Sequence, residues 1–274
     1  MRFANNVFKG TLLSVVSAIA ITYLLSCNTG SVVDMDSQSF PSISSSTSIS
    51  LPEGFVSLDR TEDYSSILGE YREYVNLIVN TGSESDEGLS NAISNKVFSA
   101  PYVDGDLAYH WYCMLIETNV WSYRAFPKSQ AAFGYALYDL NGNGTPELIL
   151  LLEDYTVLAI YSLVDNKPQL LDAYWPRHKC AITETGTLYT SSSGGATYWN
   201  NCIWQVSQDG KSLILIEEFG LEGHENWYII VDGERKAVSS SEIAEMQEKY
   251  PVLSAEAATE ITKNSGLEFI PLFS

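Results

Sequence analysis

The chain has 274 residues, with 34 Asp and Glu against 15 Lys and Arg, a formal net charge of −19. So acidic a surface argues against nucleic acid and anionic lipid as partners, because both are gripped through basic patches. Hydrophobic residues make up 45% of the chain, enough to build a core in a domain of this size.

Met1 to Ser26 reads as a secretory signal. Arg2 and Lys9 form its basic flank, and Leu12 to Leu25 is apolar but too short, and too dotted with Ser and Thr, to span a bilayer. It ends in Leu24-Leu25-Ser26-Cys27, which resembles the lipobox of bacterial lipoproteins. The resemblance implies that Cys27 becomes a lipidated first residue, tethering an exported protein to the outer face of the cell membrane without spanning it. The mature chain would then carry 13 basic and 34 acidic residues, a net charge of −21. Residues 27–52 follow as a flexible linker; nine of the 25 residues from Asn28 to Pro52 are serine, which leaves little to bury. A single domain is expected from 53 to 274.

Residues 53–125 read as helical. Tyr64, Ile67, Leu68, Tyr71, Val75 and Ile78 recur at helical spacing, with Asp59 and Glu62 as a candidate cap. Shorter helices are expected from Glu87 to Phe98 and from Asp106 to Trp121. His110, Cys113 and Glu117 fall on one flank of the latter, a grouping far more typical of a helix side than of a metal site.

The most informative stretch is Tyr135 to Glu153, YALYDLNGNGTPELILLLE. Two short apolar runs flank a loop in which oxygen-bearing side chains alternate with glycines. Counting Asp139 as position one, Asn141 is three, Asn143 five, Gly144 six, Thr145 seven and Glu147 nine. Calcium takes six to eight oxygen ligands, and short loops supply them at alternate positions with glycine at position six. An EF-hand would need Glu at position twelve, where this chain has Leu150, and the flanks are too short for its two helices. A β-hairpin closing at Glu147 is therefore expected, with calcium held by Asp139, Asn141, Asn143, Thr145 and Glu147; the alternative is a metal-free Asn-Gly turn. Asp139 to Leu148 resembles the D-x-(D/N)-G-(D/N)-G-x-x-E-L hairpins of Gram-positive bacterial surface lipoproteins and the calcium loops of FG-GAP and integrin-type propeller blades. That lipoprotein group is largely without assigned function, so the resemblance implies a binding or interaction role only.

Residues 133–238 read as mainly β. Turn signals at Asn143-Gly144, Asp165-Asn166, Thr185-Gly186, Asp209-Gly210 and Asp232-Gly233 alternate with breaks at Asp154-Tyr155, Pro176-Arg177, Gly194-Gly195 and Gly220-Leu221. About ten strands are expected, folding up and down as one curved sheet or partial barrel. Residues 239–274 add a helix from Ser239 to Tyr250, opened by a Ser239/Glu242 capping box, a second short helix from Ala255 to Asn264, and an edge strand or docked tail near Pro271. The fold class is thus α+β: an N-terminal helical layer packed on an antiparallel meander, closed by a short C-terminal helix.

No HExxH, GxSxG, P-loop or dinucleotide-binding fingerprint occurs, and a Cys-His pairing of Cys113 or Cys202 with His178 or His224 has no motif behind it. Cys180 and Cys202 fall in neighbouring strand regions, so a disulfide and two buried thiols are both open. Tyr198, Trp199, Trp204 and Trp227 are candidates for ligand stacking, and Ser191 to Asn201 is the candidate binding loop, although rings in a β domain more often fill its core. These observations favour a non-enzymatic extracellular module that binds a glycan or protein. A cell-envelope hydrolase and an inhibitor or envelope assembly component stand as alternatives.

Overall fold

The computed structural model describes residues 60–81, 127, 129–250 and 253–273. The signal, Cys27, the linker, the helices expected within 87–121, Cys113 and the Asp59 cap all lie outside them. After a 3-10 turn at Thr61–Tyr64, helix α1 runs Ser65–Thr81. The turn has no side-chain cap at Arg60, whose guanidinium instead pairs with Asp63 at 3.0 Å. Tyr64, Leu68, Tyr71, Tyr74 and Val75 are buried along one side of the helix. Tyr74 was missing from the expected stripe, although it lies three residues beyond Tyr71 on the same face.

Four strands follow: β1 Phe133–Tyr138, β2 Glu147–Leu152, β3 Val157–Val164 and β4 Lys167–Ala173. They pair antiparallel in chain order, and β11, Ile270–Pro271, closes the open edge against β1. Pro271 lacks a donor and is tolerated there because the edge leaves its nitrogen unpaired. The second sheet is an uninterrupted meander of β5 His178–Ile182, β6 Leu188–Gly195, β7 Tyr198–Val206, β8 Leu213–Glu222, β9 Asn226–Val231 and β10 Glu234–Ala237. Asp165-Asn166 and Asp232-Gly233 make two-residue hairpin turns with all four φ angles positive, between 52° and 76°, the geometry whose twist matches the flanking strands.

The expected single curved sheet is thus two sheets packed face to face. The chain changes sheet at Tyr174-Trp175-Pro176-Arg177: Pro176 cannot join a ladder, and Trp175 and His178 close a tight turn through reciprocal backbone bonds of 2.9 and 2.8 Å. Strand alternation then sorts the side chains. Tyr135, Leu148, Leu150 and Leu152 face α1, while Ala136, Ile149 and Leu151 face Cys180, Ile182, Leu188 and Val206 of the second sheet. Because both faces of β2 are covered, its sequence ELILLL is buried throughout and shows no polar alternation.

The outer face of the second sheet carries Ala181, Tyr189 and Ile203. Against them pack Leu253 and helix α3, Ala255–Lys263, through Ala257 and Ala258. Helix α2, Ser240–Lys249, is opened by the expected capping box between Ser239 and Glu242 and buries Ile243. Described from one side to the other, the layers are helix, sheet, sheet, helices, a mostly antiparallel α+β fold.

Leu150 is fully buried under α1. Leu150→Ala removes apolar atoms from a site walled by strands that cannot collapse, and is expected to lower unfolding free energy by about 2–5 kcal/mol. Urea denaturation followed by circular dichroism measures it; a loss below about 1 kcal/mol would contradict this packing.

Candidate functional site

The Asp139 hairpin joins β1 to β2 as expected, and its side-chain oxygens are organised from within. Asp139 Oδ1 accepts from the Asn143 backbone N–H at 3.1 Å and Oδ2 from Gly144 at 2.8 Å. Asn141 Oδ1 accepts from Asn143 at 3.0 Å, and Asn143 Oδ1 from Thr145 at 2.7 Å. Gly142 and Gly144 take φ values of +71° and +86°, which side-chain-bearing residues rarely adopt. The amide nitrogens of the two asparagines point outward and donate to the β7–β8 turn: Asn141 to the Ser207 carbonyl at 2.7 Å and Asn143 to that of Gln208 at 3.0 Å. Gln208 returns a bond to the Asn141 carbonyl at 2.6 Å. The outward bonds hold each amide with its oxygen on the loop side.

Glu147 closes the loop from below. Its side chain is fully buried; Oε2 accepts from the Leu140 N–H at 2.8 Å and Oε1 from the Ser162 hydroxyl at 3.3 Å. Burial pushes its carboxyl up to about 7, against the bonds from Leu140 and Ser162 that pull it down, and the nearby Asp139 charge adds to the rise. Among the described residues no cation pairs with Glu147.

This donor set fits a hard cation. Asp139 and Glu147 supply charge, each asparagine oxygen keeps a lone pair beyond its backbone bond, and an ion would offset the cost of a buried carboxylate. Among the described residues there is no cluster of three His, Cys, Asp or Glu of the kind that holds zinc or iron.

The four candidate aromatics do not share a surface. Tyr198 is on the inner face of the second sheet, 51% exposed, its hydroxyl 3.5 Å from Glu222. Trp204 packs into the inter-sheet core and donates to the Thr190 hydroxyl at 3.1 Å. Trp199 and Trp227 lie on the outer face, edge to face at 5.9 Å, beside Phe219. The expected Ser191 to Asn201 loop is mostly strand: β6 and β7 meet at a short turn at Ala196-Thr197, so their polar side chains are aligned across strands.

Of the two possibilities left open for Cys180 and Cys202, the structure has the buried free thiols. They sit on β5 and β7 with Thr190 of β6 between them, about 9–10 Å apart at ladder spacing, beyond disulfide reach. Desolvation pushes the Cys180 thiol strongly up and that of Cys202 up to about 12, which makes poor nucleophiles of both.

His178, held above only as a partner for a cysteine, meets other groups. Its Nε2 lies 3.1 Å from Asp172 Oδ2 and its Nδ1 2.5 Å from Ser192 Oγ. The ring is flanked by Tyr174 and Trp175 at 5.1 and 4.9 Å between centroids. Nearby, Glu218 Oε1 accepts from Tyr228 at 2.6 Å and from Asn200 at 3.1 Å.

Comparison with known proteins returns no match: no family model, no curated protein and no solved structure is similar to this chain.

Glu147 sets a pH dependence. A carboxyl whose folded pKa stands above its unfolded value stabilises the fold below the unfolded value, and that contribution is lost as pH rises through the folded one. In chelator-treated protein, stability is expected to fall between pH 4.5 and about 7, by at most on the order of 3 kcal/mol. Glu147→Gln should flatten that slope. Urea titrations across the interval measure it, and an equal slope in the variant would assign the titration to another group.

Proposed function

We propose that the chain is an exported, lipid-anchored binding module whose sandwich is stiffened by calcium at the Asp139 hairpin. The observation that carries this reading is the loop itself. Asp139, Asn141 and Asn143 present oxygens already ordered by backbone N–H groups, above a buried carboxyl that has no cation among the described residues. Thr145 and Glu147 complete the set. Bound calcium would supply positive charge; the protein residues orient the oxygens and link the loop to the second sheet. Two charged ligands imply the modest affinity of extracellular modules, with a dissociation constant of roughly 10⁻⁴–10⁻³ M.

The anchor rests on Cys27 and the apolar segment before it, and the serine-rich linker would hold the domain away from the membrane. The ligand surface in this reading is the inner face of the second sheet beyond the first sheet's cover. Tyr198, the Asn200 amide beside Glu218, and the Glu222–Arg235 pair lie there, a mixture suited to the hydroxyls of an extracellular glycan or to a protein loop.

Thermal melts of the purified protein test the ion. Ten millimolar calcium is expected to raise Tm by several degrees over EDTA, corresponding to about 1–3 kcal/mol of linkage, and Asp139→Ala should abolish the rise. No shift would leave a metal-free turn. The anchor is tested separately by expressing the full chain in a bacterium fed an alkynyl fatty acid. The label is expected on the wild type and absent from Cys27→Ser; equal labelling would place the anchor elsewhere.

A further inference from the structure

Cross-strand register places three chemically complementary side chains in one row on the inner face of the second sheet. His178 of β5 is opposite Ser192 of β6, which is opposite Asn200 of β7. In an antiparallel pair, directly opposed residues project to the same face with Cβ atoms about 4.5–5.5 Å apart. From the neighbouring sheet, Asp172 completes the set by meeting His178 on the ring nitrogen that Ser192 does not use.

We infer that this row is an acyl-transfer site, with Ser192 as nucleophile, His178 as general base and then acid, Asn200 as oxyanion donor, and Asp172 as positioning residue. A serine hydroxyl is a weak nucleophile until a base takes its proton, and an imidazole serves that purpose when a third group fixes its tautomer. Asp172 does so by accepting Nε2–H, which leaves the Nδ1 lone pair facing Ser192 at 2.5 Å. Asp172 is itself held, its Oδ1 accepting the Ala173 N–H at 2.8 Å, and the rings on either side of His178 restrict its rotation. The His178 and Asp172 side chains remain 18% and 26% exposed, so solvent and substrate can reach the chain of bonds. Asn200 Nδ2 donates to Glu218 and also to Cys202 Sγ at 3.5 Å. Sulfur is a weak acceptor, so a developing oxyanion could compete with it for that hydrogen at little cost.

The substrate class is a small, uncharged carboxylic ester, because Asp172 and Glu218 would repel an anion, while Glu222 is paired with Arg235. Ser192 Oγ bonds to the ester carbonyl carbon as its proton passes to Nδ1. The carbon–oxygen bond to the alcohol then breaks, and the alcohol leaves with that proton. Water attacks the acyl-serine, gives a proton to Nδ1, and releases the carboxylic acid as the proton returns to Ser192 Oγ. No oxidant, reductant or metal is needed. The inference goes beyond the binding module and depends on neither its calcium nor its anchor.

The purified protein is treated with a fluorophosphonate and digested, and the adduct is mapped by mass spectrometry. In parallel, p-nitrophenyl acetate hydrolysis is followed for the wild type and for Ser192→Ala, Asp172→Asn and Asn200→Ala, each checked for an unchanged melt. The expected results are an adduct on Ser192, hydrolysis by Ser192→Ala at the uncatalysed rate, and kcat lowered about 10²-fold or more with KM nearly kept in the other two. No adduct on Ser192 in folded wild-type protein, or Ser192→Ala hydrolysing as fast as the wild type, would overturn the inference and leave the row as a structural clasp between the sheets.

Discussion

The buried carboxyl of Glu147 is the constraint on which the rest of the sandwich is assembled. A carboxyl enters an apolar core only if its oxygens find donors, and here the donors are the Leu140 N–H and the Ser162 hydroxyl. Satisfying the first pulls the Asp139 loop into its turn, and satisfying the second fixes β3 beside β2. The neighbouring Pro146 carbonyl accepts from Tyr64, so the start of the helical layer is tied to the same point. The second sheet arrives there as well. A Cβ on Gly210 would collide with Ser162 Oγ, and one on Gly186 with the Leu140 carbonyl, so both turns must be glycine to come so close. One polar group thus sets the mutual position of a helix and two sheets, a specificity that apolar packing alone supplies poorly.

The two sheets differ in how much of each is covered. Both faces of the first sheet are buried in its middle strands, and its sequence there is nearly continuous Leu, Ile and Val. The apolar contact of the second sheet with the first lies near one end, through Cys180, Ile182, Leu188 and Val206. Toward the other end of the same face its strands turn polar: Ser192, Asn200, Glu218 and Glu222. The aromatics that looked like a stacking platform mostly serve elsewhere. Trp199, Phe219 and Tyr250 form an edge-to-face and stacked series on the outer face, where Lys249 pairs with Glu217 at 2.9 Å, joining α2 to the sheet.

What could be read in the sequence follows the range of each signal. The Asp139 hairpin, the type I′ turns at Asp165-Asn166 and Asp232-Gly233, the Ser239 capping box and the Pro271 edge are local chemistry, and each was legible from a few neighbouring residues. The division into two sheets was not, because Pro176 ends a strand equally well whether the next strand joins the same sheet or another. Whether Cys180 and Cys202 pair was illegible for a similar reason: their strands look neighbouring in the sequence but are separated by β6. The Asp172–His178–Ser192 chain was the hardest to see, since it spans both sheets. One part of it was accessible: a turn centred on Thr185 fixes the β5–β6 register, and counting back from it sets His178 opposite Ser192.

The clamp and the polar row lie toward opposite ends of one sheet, and this separation bears on their division of labour. Asn200 of β7 belongs to the row, while Ser207, just past the end of that strand, receives the bond from Asn141. Seven residues of extended chain cover roughly 20 Å. A calcium ion, if bound at the hairpin, would be too far away to polarise a carbonyl or a water beside Ser192, and its Coulomb effect across solvent at that distance would be screened. Any influence must be mechanical, through the rigidity of β7 and the docking of its turn. His178 and Asp172 belong to different sheets. Their local spacing is set by the crossover between them, whose reciprocal Trp175–His178 backbone bonds hold two residues only six apart in the chain, while the hairpin and the buried carboxyl beneath it seat the two sheets at the other end.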